Sequence, residues 1–362
     1  NEMVPLAFNQ LCWKGDETNK ENHLMYIKVL GIDLGKSSFH LIGCDSHDQQ
    51  VCKKKLSRQK LITFIAQLPP CLIAFEACGG AHWLGRLCME HGHDVRLIPP
   101  QYVKPFVKGN KNDFIDAQAI TEAAGRPDMR FVAVKSIEAQ SQIVVHRVRE
   151  GFVAERTACM SRIGALLLEF GLSLPRGHST MKNLFSWLST QKVTLCPAII
   201  GELQVMHDHY RYLNEQIAEQ DAKIVQEVKQ SSRCQLLKTV PGIGDMTASQ
   251  LAAEVGNAHQ FKNGREMAAW LGLVPRQYST GGKPKLLGIS KRGNKRLRCL
   301  LVHGARAILS RLDSYRGPMY DWLRKLRVSK SFNVVCIALA NKLSRIAYAV
   351  LSKNEPYQAQ QV

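Results

Sequence analysis

Four carboxylates stand at positions where their charge has consequences. Asp33 interrupts the apolar run IKVLGIDL at 27–34, with Ile32 and Leu34 on either side. Glu76 closes a second apolar run, Cys71 to Phe75, and leads into Cys78, Gly79 and Gly80. Asp113 and Asp116 lie three apart in NKNDFIDAQAI, a spacing that puts both on one face of a helix. Taken singly, Asp113 and Asp116 would suit the positive end of a helix dipole, worth about 0.3–1 kcal/mol each, and Glu76 would suit a turn. Asp33 is harder to place, because a carboxylate in a central strand is costly unless a cation or donors meet it. Four acids at one sheet end would repel one another. A hard divalent cation with oxygen ligands, Mg²⁺ or Mn²⁺, removes that conflict.

Positioning these acids requires a sheet, and the sequence supplies one. Strand-like runs occur at 27–34, 39–44, 50–56, 71–75 and 95–98, bounded by Gly35, Asp45-Ser46-His47-Asp48 and the Pro69-Pro70 and Pro99-Pro100 breaks. Helical stretches fall at 57–67 and 81–91, and a helix runs from Asp113 towards Ala124. Three strands followed by alternating helix and strand is the order of an α/β sheet with a meander at one edge. Residues 137–170 lack proline and read as one long helix; a second helical region runs over about 198–228. In it Leu203, Met206, Tyr210, Leu213 and Ile217 advance by alternating steps of three and four, continued at Ile224, which is a heptad seam. Such a seam closes either an intramolecular hairpin or a dimer, and a dimer is the expectation. The segment LLKTVPGIGDMTASQLAAEVG is similar to a helix-hairpin-helix motif, in which Gly242 and Gly244 would let backbone N–H groups approach a phosphate.

The chain has 362 residues, long enough for two or three domains, and its 45% hydrophobic and 22% charged residues are those of a folded protein. No run of about 18 apolar residues predicts a membrane span, and no secretory pattern opens the sequence. Eleven cysteines, without CxxC pairs or zinc spacing, argue against a disulfide framework and for a reducing cytoplasm. The net charge is +19, and Lys262 to Lys353 alone holds 20 basic residues against Glu266, Asp313 and Asp321. That concentration predicts a polyanion-binding domain. No single basic amphipathic helix of the membrane-surface kind is visible.

Together GIDLGK, IAFEACGG and NKNDFIDAQAI resemble the Asp-Glu-Asp-Asp nuclease domain of insertion-sequence transposases, which is similar to the ribonuclease H and Holliday-junction resolvase (RuvC-like) fold. The resemblance makes Asp33, Glu76, Asp113 and Asp116 the four catalytic, metal-holding acids. A second stretch, Ala268 to Ile308, resembles the C-terminal domain of the same transposases, specifically the bridge-RNA-guided serine recombinases. The resemblance spans about residues 27–353. It implies a serine nucleophile after Pro275-Arg276, where this chain reads Gln277-Tyr278-Ser279-Thr280-Gly281-Gly282. The family's commoner Ser-Gly pair is replaced, so Ser279 is chosen with Thr280 as the rival hydroxyl. Arg276, Lys283, Lys285, Lys291, Arg292, Lys295, Arg296 and Arg298 are the expected nucleic-acid contacts.

The implied organisation is an extension of unassigned role at 1–26, a RuvC-like α/β domain at 27–132, a helical coiled-coil dimerisation segment at 133–233, a mainly helical basic domain at 234–353 and a tail at 354–362. The implied activity is RNA-guided DNA transposition, in which the carboxylates of one protomer meet the serine of another. Donor and target duplex DNA, a non-coding bridge RNA and a homo-oligomer are the expected partners. The competing reading is a metal-dependent junction resolvase that hydrolyses DNA without a covalent intermediate.

Overall fold

A computed structural model describes residues 27–110 and 112–359, so the extension at 1–26 lies outside the described residues. The chain divides between Ser136 and Ile137 into two compact units.

The first unit is built on a five-stranded sheet: β1 (Val29–Leu34), β2 (Ser38–Cys44), β3 (Gln50–Ser57), β4 (Leu72–Glu76) and β5 (Asp94–Ile98), in the order β3-β2-β1-β4-β5. β1, β2 and β3 pair antiparallel as the predicted meander, while β4 and β5 run parallel to β1. Residue types explain the arrangement. β1, β2 and β4 carry nearly unbroken apolar interiors, as strands covered on both faces must. β3 carries Lys53, Lys54 and Lys55 in a row and buries only Cys52, as an edge strand does. One face packs Leu30, Ile32, Leu41 and Phe75 with Leu61 and Ile65 of helix α1 (Arg58–Gln67) and Leu84 of α2 (Ala81–Glu90). The other packs Ala74 and Ile98 with Ala119, Ile120 and Ala123 of α3 (Asp113–Ala124).

The second unit is helical. α4 (Ile137–Glu169) and α5 (Pro197–Gln230) run antiparallel, tied by Arg149 to Asp221, Arg156 to Asn214 and the Cys159 thiol to the Met206 carbonyl. Of the two ways to close the heptad face, one chain by itself supplies the intramolecular one. Leu203, Tyr210, Leu213, Ile217 and Ile224 are buried within a single chain, chiefly between α5 and α4 and the segment joining them. The 3-4 spacing marks an apolar face, and an antiparallel neighbour in the same chain covers it as well as a second copy would.

After α5 come α6 (Ser232–Lys238), α7 (Asp245–Val255), α8 (Gly264–Trp270), a hairpin of β6 (Pro275–Gln277) and β7 (Leu286–Ile289), α9 (Lys295–Ser310), α10 (Pro318–Ser329) and α11 (Phe332–Lys353). By length and mean hydropathy, 1.6, α11 passes as a membrane span. Its Val335, Leu339, Ala340, Leu343, Ala347 and Val350 are instead buried among Leu237, Leu251, Met267, Leu301 and Ala305, so it is the central helix of this core.

Candidate active site

Strand periodicity decides which side chains share the α3 face. Leu30 and Ile32 of β1 point to the opposite core, so Gly31 and Asp33 face α3. Gly31 has to be glycine: a Cβ there would stand 2.1 Å from Thr121 Oγ1 and 2.5 Å from the Ala117 carbonyl oxygen. The Thr121 hydroxyl lies 2.8 Å from the Ala117 carbonyl one turn back on the helix and 3.2 Å from the Ile42 carbonyl, and the bond to Ile42 fastens α3 to β2. α3 begins at Asp113 because Asn112 caps it, its side chain accepting from the Phe114 N–H at 2.9 Å. The helix thus delivers Asp113 and Asp116, in its first turn, to the sheet end where β1 finishes.

β1 and β4 are parallel and pair Ile32 with Phe75, so Asp33 and Glu76 follow one step further on adjacent strands. Burial pushes the Glu76 carboxyl up from its ordinary range, and the charges of Asp33 and Asp116 push it further. The four predicted acids therefore converge on the carboxyl ends of β1 and β4. Asp33 also pairs in register with His40 on β2. Ligand atoms of Asp33, His40 and Asp113 all lie within 4.8 Å of one another, and His40 Nδ1 is 3.5 Å from Asp113 Oδ2. This donor set fits a divalent cation: clustered carboxylates, one shifted upward by burial and by its neighbours' charge, plus an imidazole.

His40 is the residue that sequence reasoning missed. Its signal was the tight hairpin after Leu34: pairing Leu34 with Phe39 forces Asp33 opposite His40.

The predicted nucleophile segment forms the tip of the β6–β7 hairpin. Ser279 and Thr280 are exposed; the Ser279 hydroxyl accepts from Gln277 Nε2 at 2.8 Å. Tyr278 N donates to the Lys285 carbonyl at 2.9 Å, Lys283 N to that of Thr280 at 3.1 Å, and Gly281 and Gly282 take φ of 56° and 76° to turn the chain. The hairpin base is interlocked. A Cβ on Gly272 would stand 2.2 Å from the Arg292 carbonyl oxygen, and one on Gly293 1.8 Å from that of Trp270.

Arg276, Lys283, Lys285, Lys291, Arg292 and Lys295 are exposed around this hairpin and the start of α9, whereas Arg296 pairs with Glu150. Arg298 is turned inward. It is 9% exposed, and its Nη1 donates to the carbonyls of Leu271 at 2.8 Å and Arg292 at 3.0 Å, so it clamps the hairpin base rather than meeting a phosphate. The two glycines between α6 and α7 also part company. Gly242, at φ 81°, approaches the backbone of Gly304 on α9, so a Cβ would sit 2.8 Å from Ile308; Gly244 opens onto free space at the start of α7. All ten cysteines among the described residues are free thiols.

A sheet of this topology, with carboxylates gathered at its end, defines a nuclease-like domain of the Asp-Glu-Asp-Asp type. Residues 30–171 match the family profile of the Asp-Glu-Asp-Asp transposases of the IS110 type, and residues 234–320 match that described as "Transposase IS116/IS110/IS902 family". The chain is 45% identical over 327 residues to the transposase for insertion sequence element IS1328 of Yersinia enterocolitica, covering 90% of this chain and 97% of that protein. It is 47% identical over 337 residues to a probable family 20 transposase of Pseudomonas aeruginosa, covering 92% and 99%. It is 40% identical to the transposase for insertion sequence element IS1111A of Coxiella burnetii, with 92% of each chain covered. The chain belongs to the IS110/IS116 family of insertion-sequence transposases, enzymes that act on DNA.

Proposed function

We propose that this transposase cuts and rejoins DNA by transferring phosphoryl groups to its own serine, at sites chosen through a bound non-coding RNA. The observation that supports the reading most is the convergence of Asp33, Glu76, Asp113 and Asp116 at one sheet end, where Glu76 feels the charge of Asp33 and Asp116. Those acids would hold divalent ions, Mg²⁺ or Mn²⁺, which when bound would supply positive charge to a phosphodiester under attack.

In the proposed step Ser279 Oγ gives up its proton and attacks phosphorus, forming a phosphoserine ester. The bond from phosphorus to a deoxyribose oxygen breaks, and that oxygen takes up a proton. One ester replaces another, so reversal rejoins a strand with no external energy source. Arg276, Lys283 and Lys291 balance charge on the phosphoryl group. Lys285, Arg292 and Lys295, with the N–H groups at the start of α7 after Gly244, hold backbone phosphates of donor DNA, target DNA and guide RNA in a homo-oligomer. These contacts read charge and shape; base pairing with the RNA reads sequence.

Asp33→Asn or Asp116→Asn tests the acidic site. Each is expected to abolish divalent-dependent strand cleavage on a denaturing gel while leaving DNA and RNA affinity within a few-fold of wild type. Cleavage at the wild-type rate by either variant removes that residue from the site.

A further inference from the structure

Among the described residues, the acids share their cluster with one imidazole, that of His40. We propose that His40 is a direct ligand of the metal centre, making it a mixed nitrogen–oxygen site suited to Mn²⁺ rather than an all-oxygen Mg²⁺ site; this rests on Asp33 and Asp113 being metal ligands.

Three observations carry it. First, register fixes the ring beside Asp33: antiparallel pairing of β1 and β2 sets His40 opposite it, on the face that α3 covers. Second, the spacing is that of co-ligands. His40 Nδ1 lies 3.5 Å from Asp113 Oδ2, too long for a good hydrogen bond. Neighbouring donors around one small octahedral cation with bonds of about 2.1 Å stand roughly 3 Å apart and opposite ones roughly 4 Å; the three residues' donor atoms fall within 4.8 Å, so a small side-chain adjustment brings them onto one ion. Third, the ring is already held. His40 is 5% exposed and meets the Phe114 ring edge-on at 4.8 Å and 79°, so little freedom is lost on binding. Phe114 directly follows Asp113, so one helical turn orients both ligands.

Both ions favour carboxylate, carbonyl and water oxygens, but Mn²⁺, a first-row transition ion, accepts an imidazole nitrogen more readily than Mg²⁺ does. His40 therefore biases the centre towards Mn²⁺ without changing the carboxylate count.

The test uses the full-length protein with Mn²⁺ alone as probe, read by electron spin-echo envelope modulation rather than by activity. Bound Mn²⁺ is expected to show nitrogen modulation that changes when the protein is grown with ¹⁵N-histidine, a comparison needing no substitution. His40→Gln should lose that modulation and weaken Mn²⁺ binding on the order of tenfold or more, with Mg²⁺ binding less affected; His40→Asn replaces it should the glutamine variant not fold. Mn²⁺ that binds, is lost in Asp33→Asn, and shows no histidine nitrogen overturns this inference and leaves an all-carboxylate centre standing. Mn²⁺ binding indifferent to Asp33→Asn overturns the underlying metal-centre reading as well.

Discussion

His146 lies on α4 at 6% exposure, its Nε2 2.9 Å from the hydroxyl of Ser249 on α7. Burial, with the charges of Arg149 and Arg296, pushes its pKa down from 6.5 to about 4, so the folded protein holds it neutral. Between those values the unfolded chain binds the extra proton, and stability must fall as pH falls from about 6.5 towards 4. Taking the wild type from pH 7 to pH 5 is expected to cost the second unit on the order of 1–2 kcal/mol through this group. Denaturant titrations of wild type and His146→Gln should show that increment missing from the variant; equal losses in both would contradict it. Single residues were unevenly legible. Asp33 announced itself because a charge in an apolar strand needs a partner. His40 did not, since a histidine in a strand is unremarkable until register sets it against an aspartate. Arg298 read as one more surface cation in a basic segment. Only the packing of α9, with Leu297, Leu301 and Ala305 facing the core, shows that it belongs inside.

At the scale of elements, the site depends on how closely α3 crosses β1, and Gly31 sets that distance. Gly31→Ala would drive a methyl into Thr121 and the Ala117 carbonyl, backbone that cannot step aside cheaply. We expect a loss of roughly 1–3 kcal/mol in unfolding free energy. Divalent-dependent cleavage should fall further than the folded fraction does, because Asp113 and Asp116 move with the helix. A variant with wild-type stability and cleavage would show that α3 tolerates displacement. The five strands and helices α1, α2 and α3 were readable from apolar runs and their Gly, Pro and Asp boundaries, and the meander followed from short connections. What α5 packs against was not readable. Its apolar face has the same spacing whether the partner is another copy or α4, and only the tertiary structure decides.

For the whole molecule, charge is the informative quantity. Lys262 to Lys353 carries 20 basic residues against three acids, all on the second unit. Nucleic-acid affinity should fall steeply with salt, log K declining by about 0.9 per neutralised duplex phosphate. Protein expressed with its native flanking DNA should co-purify with a discrete RNA whose guide loops redirect the target. Site-specific recombination at an unchanged target by RNA-free protein would restore recognition to the protein. Where the charge lies was plain in the sequence, but which cations reach solvent was not.

Strand transfer through a serine is the central claim, and trapping the reaction before rejoining tests it most directly. Purified protein with the RNA proposed to guide it, divalent metal and labelled substrate DNA, quenched in denaturant, should yield DNA covalently attached to the chain. Peptide mapping should place the attachment at Ser279, and Ser279→Ala should abolish it without altering the fold, because an exposed hairpin hydroxyl contributes little to stability. Attachment lost instead in Thr280→Ala would move the nucleophile by one residue and keep the mechanism. Cleavage that requires the four acids, leaves no protein on the DNA and proceeds in both hydroxyl variants would contradict the account and make the enzyme a hydrolytic nuclease.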